Sequence, residues 1–336
     1  MTKKNLKSVN LLLLNNKKLT GTIPEFNAIA SKLSRISLQG CSFVGSIPSS
    51  LGGLASLRLL QLKDNKFNGE IPPNLMSLPN LETLGLYGNR LRGNIPSIRL
   101  TFEGSKLTSL NIGSNQLDGP LPNGLEDLTN LKFFYADDNM LTGQIRDNVM
   151  LLPKLEQLWL QKNEFSGDIG YFLSESNQLK DVYLHSNGFS GDLQDFLRFA
   201  PPSIQRLDLS GNRGIEGFIP REIEVFGSMT YFNASSCNLG GEIPEEIGRL
   251  VKLETLDLSI NDFQGTVPSE MASLDSITTF DISRNRDLGG DLSSSLCATV
   301  GDKLDFGLSD CSGAVRVSCD CCTHCCNREG VCGPNQ

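Results

Sequence analysis

The sequence predicts an α/β solenoid: a superhelix of stacked turns with a parallel β-sheet on its concave face and short 3-10 or helical segments and turns on its convex face. Three observations predict it. The glycine of an L-x-G-x-I-P-like segment recurs at Gly21, Gly45, Gly69, Gly93, Gly119, Gly143, Gly167, Gly191, Gly217, Gly241, Gly265 and Gly290. Its steps are 24 residues, except for 26 into Gly119, 26 into Gly217 and 25 into Gly290. Leucines keep fixed offsets from that glycine, as in Leu155, Leu158 and Leu160. An asparagine follows at a constant place, as in Asn163, with Phe165 two residues on. A period of ~20–29 residues means a fold that grows by adding units, so 336 residues need not imply several globular domains.

Each position in the turn has a physical task. Leu81, Leu84 and Leu86 point inward and stack on their equivalents, because one turn alone cannot bury that face. The residues around Leu84 and Leu86 form a short strand, and successive strands join into one parallel sheet. Gly143 and Gly265 allow a turn conformation that a Cβ would disfavour. Pro48, Pro72, Pro96, Pro244 and Pro268 break strand pairing and can open a short helix. Residues 1–292 are assigned to the solenoid, and 293–336 to a degenerate last repeat with a cysteine-rich cap.

Departures from the pattern are informative. Lys17, Cys41 and Cys237 replace the asparagine. Cys41 and Cys237 lie eight repeats apart, ~35–40 Å at ~4.8 Å per strand. A disulfide needs Cα atoms within ~7 Å, so these are read as two free buried thiols. The proline is missing after Ile169 and Leu193. The runs Asn212 to Ile215 and Asn285 to Leu288 carry one extra residue, a small bulge, and the insertion from Ile98 to Ser105 is similar. Leu6, Val9, Leu12 and Leu14 already fit the pattern. A terminal repeat needs a covered outer edge, so we expect that an N-terminal cap, and a signal peptide with it, has been lost by truncation.

The fuller pattern, L-x-x-L-x-L-x-x-N-x-L-x-G-x-I-P over roughly residues 6–292, resembles plant-type leucine-rich-repeat proteins, both receptor ectodomains and polygalacturonase-inhibiting proteins. The resemblance implies that Asn65, Asn89, Asn115, Asn139, Asn163, Asn187, Asn212, Asn261 and Asn285 form a ladder that satisfies backbone groups at each bend. It also implies an extracellular or cell-surface recognition module, as part of a receptor-like protein with a membrane-associated precursor.

Eight of the ten cysteines lie in the tail: Cys297, Cys311, Cys319, Cys321, Cys322, Cys325, Cys326 and Cys332. Their density points to an oxidising compartment and to disulfides closing the end of the core. The rival is zinc at Cys322, His324 and Cys325, but no second spaced C-x-x-C pair accompanies it, so no metal and no cofactor is assigned. The tail resembles the cysteine-rich ends of diatom leucine-rich-repeat proteins.

Other chemistry is excluded in turn. A net charge of −8 and a pI near 5.0 argue against nucleic acid. No apolar run approaches the ~18–20 residues of a membrane span. Asp305 to Ser309 reads D-F-G-L-S, yet the other kinase motifs are missing. Only His185 and His324 are available, and no catalytic set surrounds either, so no enzyme is expected. Asn233-Ala-Ser235 is an N-glycosylation sequon.

Function must therefore lie between the skeleton residues. Outward positions alternate with the strand leucines, and the middle slot places Tyr135, Trp159 and Tyr183 in three consecutive turns. Phe133 and Asp181 precede that slot; Asp137, Gln161 and His185 follow it, with Lys162 beside them. An aromatic cluster with a polar rim is how a binding hot spot looks. We expect these nine residues to bind a protein, peptide or carbohydrate ligand. Competing readings are an inhibitor of a secreted glycoside hydrolase and a structural or adhesion protein of the wall.

Overall fold

The computed structural model describes residues 10–26, 32–98, 104–145, 149, 151–170, 173, 177–294, 296–300, 306–310, 316–326 and 332–334. The chain divides into two compact units, Met1–Phe165 and Ser166–Gln336.

In the first unit, the strands Leu11–Leu13, Arg35–Ser37, Leu59–Gln61, Thr83–Gly85, Ser109–Asn111, Phe133–Tyr135 and Gln157–Trp159 pair in that order, all parallel. Register follows the repeat: Leu60 faces Leu84, and Leu84 faces Leu110. A second parallel sheet runs through Thr20–Gly21, Ser42–Gly45, Lys66–Gly69, Arg90–Asn94, Gln116–Gly119 and Met140–Gln144. Both sheets supply the core: Leu60 and Leu84 from the first and Phe67 and Leu91 from the second have no exposed surface.

The second unit repeats this plan. Strands Asp181–Tyr183, Arg206–Asp208, Tyr231–Asn233, Thr255–Asp257, Thr279–Asp281, Phe306–Asp310 and His324–Cys326 pair in parallel, and Cys332–Pro334 adds an antiparallel strand. Its second sheet comprises Gly188–Asp192, Gly214–Gly217, Asn238–Glu242, Asp262–Thr266, Asp287–Asp291 and Val317–Ser318, and residues Ser166–Asp168 pair along its first strand. The tail thus continues both sheets before its cysteines close it.

The second sheet differs from the sequence expectation of one sheet followed by a glycine turn. The L-x-G segment is itself extended and hydrogen-bonded, and its glycine bends the strand. Gly265 holds φ +80° inside the strand Asp262–Thr266. Only a residue without a Cβ adopts that conformation at little cost.

Short 3-10 helices follow the prolines as expected: Ser49–Gly53 after Pro48, Pro73–Leu75 after Pro72, Glu245–Arg249 after Pro244 and Ser269–Ser273 after Pro268. Where the proline is lost after Leu193, the α-helix Leu193–Phe199 forms instead. The Asp192 side chain caps it by accepting a hydrogen bond from the Gln194 amide at 2.7 Å.

The asparagine ladder is present. Asn65 donates from Nδ2 to the carbonyls of Leu38 and Leu62 at 2.9 and 3.0 Å, and its Oδ1 accepts from the Phe43 amide at 3.1 Å. Asn261 does the same with Ala234, Leu258 and the Leu239 amide. Cys41 and Cys237 are free and half-buried in the ladder slot, their thiols directed at the carbonyls of Leu14 and Leu209. In the tail, Cys297 bonds Cys321 and Cys319 bonds Cys322. Leu6, Val9, Asp305 and Cys311 lie outside the described residues, as do the side chains of Phe306, Cys325, Cys326 and Cys332.

Candidate functional site

Strand alternation drives Phe134 and Leu158 into the core and leaves Phe133, Tyr135, Gln157 and Trp159 on the opposite side, each half-buried. Parallel register sets Phe133 against Gln157 and Tyr135 against Trp159. The rings use this proximity. Tyr135 and Trp159 meet edge to face, their centroids 4.7 Å apart and their planes at 61°. Phe133 and Tyr135 lie nearly parallel at 6.4 Å. The Tyr135 hydroxyl donates to Gln157 Oε1, so the phenol is oriented. Aromatic pairs held this way contribute ~0.5–1.5 kcal/mol beyond the area they cover and keep the patch in one shape.

A polar rim follows along the same turns. Burial raises the Asp137 carboxyl above its ordinary range; a backbone hydrogen bond opposes this, the Asp138 charge adds to it, and Lys162 opposes it. Lys162 is exposed and sits at φ +56°, a left-handed conformation that turns the chain out of the strand. Gln161 buries its Oε1 without a hydrogen-bond partner. The first unit therefore gathers six of the nine expected residues: Phe133, Tyr135, Asp137, Trp159, Gln161 and Lys162.

Asp181, Tyr183 and His185 belong to the second unit and have a different setting. The Tyr183 ring lies 6.2 Å from that of Tyr231, at 45°. Tyr231 donates its hydroxyl to Asp208 Oδ2 at 3.1 Å. Burial first, then the Asp208 charge, pushes the Tyr231 phenol up to about 12. Burial also raises Tyr183, with Arg206 opposing it. Asp181 is only 6% exposed, so it is covered, unlike the open rim residue that its slot suggests. His185 places Nδ1 3.2 Å from Ser186 Oγ. Tyr231 and Asp208 fall outside the nine expected residues, though the sequence places Tyr231 two repeats on and Asp208 in the same outward slot. The signal was a diagonal: a small acid in the intervening strand lets aromatics two turns apart meet.

Asn233 is half-buried, and its Oδ1 accepts from both the amide and the hydroxyl of Ser235, at 3.0 and 2.8 Å. Asp208 with Ser210 and Asp257 with Ser259 make the same pair of bonds. The sequon is thus the amide version of an Asp-x-Ser turn that recurs down this sheet. Burial raises the Asp257 carboxyl in spite of its serine bonds.

The Leucine Rich Repeat family matches residues 32–54, 56–78, 106–128, 228–250 and 252–274. Among proteins of curated description, none matches the chain. Solved structures do. The complex of PEPR1 with AtPEP1 is 29% identical with a TM-score of 0.68, over 85% of this chain and 42% of that one. The TDR receptor is 29% identical with a TM-score of 0.75, over 91% of this chain and 56% of that one. The Arabidopsis receptor kinase HAESA, in complex with the peptide hormone IDA and the co-receptor SERK1, is 28% identical with a TM-score of 0.73, over 91% of this chain and 55% of that one. The chain spans about half the length of these structures.

Proposed function

We propose that this leucine-rich-repeat chain is an extracellular or cell-surface recognition module that binds a peptide or protein segment on its concave face. The observation that carries the reading is the oriented cluster Phe133, Tyr135 and Trp159, half-exposed on the strand face of the first unit. Exposed aromatics that are already ordered lose little conformational freedom on binding, and such residues dominate interface energies. Asp137 and Lys162 add one acidic and one basic contact at the rim, which suits a peptide backbone and mixed side chains. In the second unit, Tyr183 and His185, with Tyr231, offer a smaller contact of the same kind. The similarity to the receptor kinase HAESA, whose structure is a complex with the peptide hormone IDA, supports the same reading. Among the described residues no helix is long and apolar enough to cross a membrane.

Trp159 is the only tryptophan, and it makes the test direct. Secreted peptide fractions from the source organism are titrated against the protein while indole fluorescence is followed. A saturable change is expected, together with capture of the same peptide by immobilised protein. Trp159→Ala should weaken that capture about 30-fold or more, as expected for a central hot spot. Tyr135→Phe, which keeps the ring, should weaken it far less. Equal capture by folded Trp159→Ala protein would overturn the reading, and saturable binding of an oligosaccharide instead would replace it.

A further inference from the structure

The tail carries a chemistry that recognition does not use. Cys297 and Cys321 are 24 residues apart, one repeat, so they occupy equivalent places in successive turns. Stacking sets their Cα atoms 5.2 Å apart, close to the ~4.8 Å between neighbouring strands. Cys297 belongs to the helix Leu296–Val300, and Cys319, Cys321 and Cys322 to the turn after the strand Val317–Ser318. That turn is held against the preceding repeat: the Asp320 amide donates to Ser293 Oγ at 3.0 Å, and the Cys321 amide donates to Cys297 Sγ at 3.1 Å.

Two disulfides therefore meet in one place. Cys297 bonds Cys321 and Cys319 bonds Cys322, and Cys319 Sγ lies 3.7 Å from Cys297 Sγ and 3.9 Å from Cys321 Sγ. The sulfurs of one disulfide thus touch a sulfur of the other. Their burial differs: Cys319 and Cys322 are 5% and 3% exposed, whereas Cys297 and Cys321 are half-buried. An outside thiol meets Cys297–Cys321 first. Exchange proceeds by attack of a thiolate on one sulfur while the other leaves as a thiolate, and the better-stabilised thiolate leaves faster. The Cys321 amide aimed at Cys297 Sγ makes Cys297 the better leaving group.

We propose that these four cysteines form a thiol–disulfide exchange centre that accepts a small monothiol at Cys321 and passes the opening on to the buried pair. The outside thiolate bonds to Cys321 Sγ, the Cys297–Cys321 bond breaks, and its electron pair leaves on Cys297. The Cys297 thiolate attacks Cys319 Sγ, the Cys319–Cys322 bond breaks, and its electron pair leaves on Cys322. Cys322 takes up the proton that the outside thiol gave up. Two disulfides and one thiol enter, and two disulfides and one thiol remain, so no oxidant or reductant is consumed. The crosslink between the two turns moves from Cys321 to Cys319 and is not lost. The loop that opens is the short one, of 3 residues, while a span of 22 residues stays closed. The last turn therefore stays fastened until both protein disulfides have been reduced.

The probe is reduced glutathione, added in low excess to the full native chain. Acid stops the reaction, N-ethylmaleimide blocks free thiols, and tryptic peptides are sequenced by mass spectrometry without reduction. Cleavage after Arg286, Lys303, Arg316 and Arg328 puts Cys297 on one peptide and Cys319, Cys321 and Cys322 on another. The first adduct of this pair should carry glutathione at Cys321 and maleimide at Cys322, with the two peptides still joined through Cys297 and Cys319. The label thus falls on a buried cysteine and spares the half-buried Cys297. A disulfide that merely opens would instead give maleimide at Cys297 and separated peptides. That result, glutathione at Cys297, or no adduct at these four cysteines would overturn the proposal. A second arm removes the acceptor pair. In Cys319→Ala/Cys322→Ala protein, glutathione should still add at Cys321, but the peptides should separate in the same step; peptides that stay joined would mean that the surviving link does not run through Cys319.

Discussion

Tyr231 shows how a single side chain records its surroundings. Its phenol is half-buried, donates to Asp208 and is pushed up to about 12 by burial and by that carboxylate. In the unfolded chain a tyrosine ionises near pH ~10. Between those values the unfolded chain has lost a proton that the folded protein keeps. The contribution is therefore fully present below pH ~10 and is lost as pH rises through about 12. A phenolate absorbance titration of the native protein should show a late-ionising fraction that Tyr231→Phe lacks; an unchanged curve would refute the assignment. The same sign applies to Asp137 and Asp257, whose carboxyls burial also raises, so that stability falls as pH rises through their folded range. Their charged forms strain the fold at neutral pH, and that strain is relieved as pH falls through their folded range. None of this was legible in the sequence. A slot in a repeat says that a residue faces outward, not how deeply its neighbours cover it, and Asp181 shows the difference.

Elements were far more legible, because a repeat states the same packing problem many times. The strand leucines, the asparagine slot and the helices after Pro48, Pro244 and Pro268 all follow from spacing. The second sheet was not legible, since a glycine with positive φ reads as a turn whether or not its flanks pair. One irregularity gains a cause only in three dimensions. Asn65 and Asn261 accept a hydrogen bond from an amide one turn back, those of Phe43 and Leu239. A cysteine cannot match this acceptor, and one turn before each cysteine slot the amide closes a local bond instead. Leu19 donates to Lys17 before Cys41, and Ile215 donates to Asn212 before Cys237. Leu288 donates to Asn285 in the turn before Cys311. In the runs Asn212 to Ile215 and Asn285 to Leu288 the extra residue makes room for that bond, whereas Leu19 reaches Lys17 with no insertion. An exchange of roles should expose the asymmetry. Asn261→Cys leaves the Leu239 amide without its acceptor and should cost about 1–3 kcal/mol. Cys237→Asn finds the Ile215 amide already engaged and should change stability by less than about 0.5 kcal/mol. Urea unfolding of both variants checks this, and equal effects would mean that the local bonds are incidental.

At the scale of the molecule, a solenoid has no single centre, so each turn is stabilised chiefly by its neighbours. The end of such a stack is its weakest place, and here the tail solves that problem covalently. Val317–Ser318 still extends the second sheet, but few apolar residues remain, and Cys297–Cys321 and Cys319–Cys322 fasten the last turns. Cys297–Cys321 spans 24 residues, and closing a loop of that size contributes about 3–4 kcal/mol in the chain-entropy account. Because coupling runs from neighbour to neighbour, that contribution should stay local. After mild reduction, hydrogen exchange should accelerate first in Leu296–Val300 and in the strands Val317–Ser318 and Asp287–Asp291, while Tyr231–Asn233 and Thr255–Asp257 keep their protection. Thermal unfolding should then begin earlier and broaden, since the last turns melt ahead of the rest. Uniform loss of protection across the second unit would contradict this. It would mean that the disulfides hold a single cooperative core, and that the repeat describes how the chain is built but not how it comes apart.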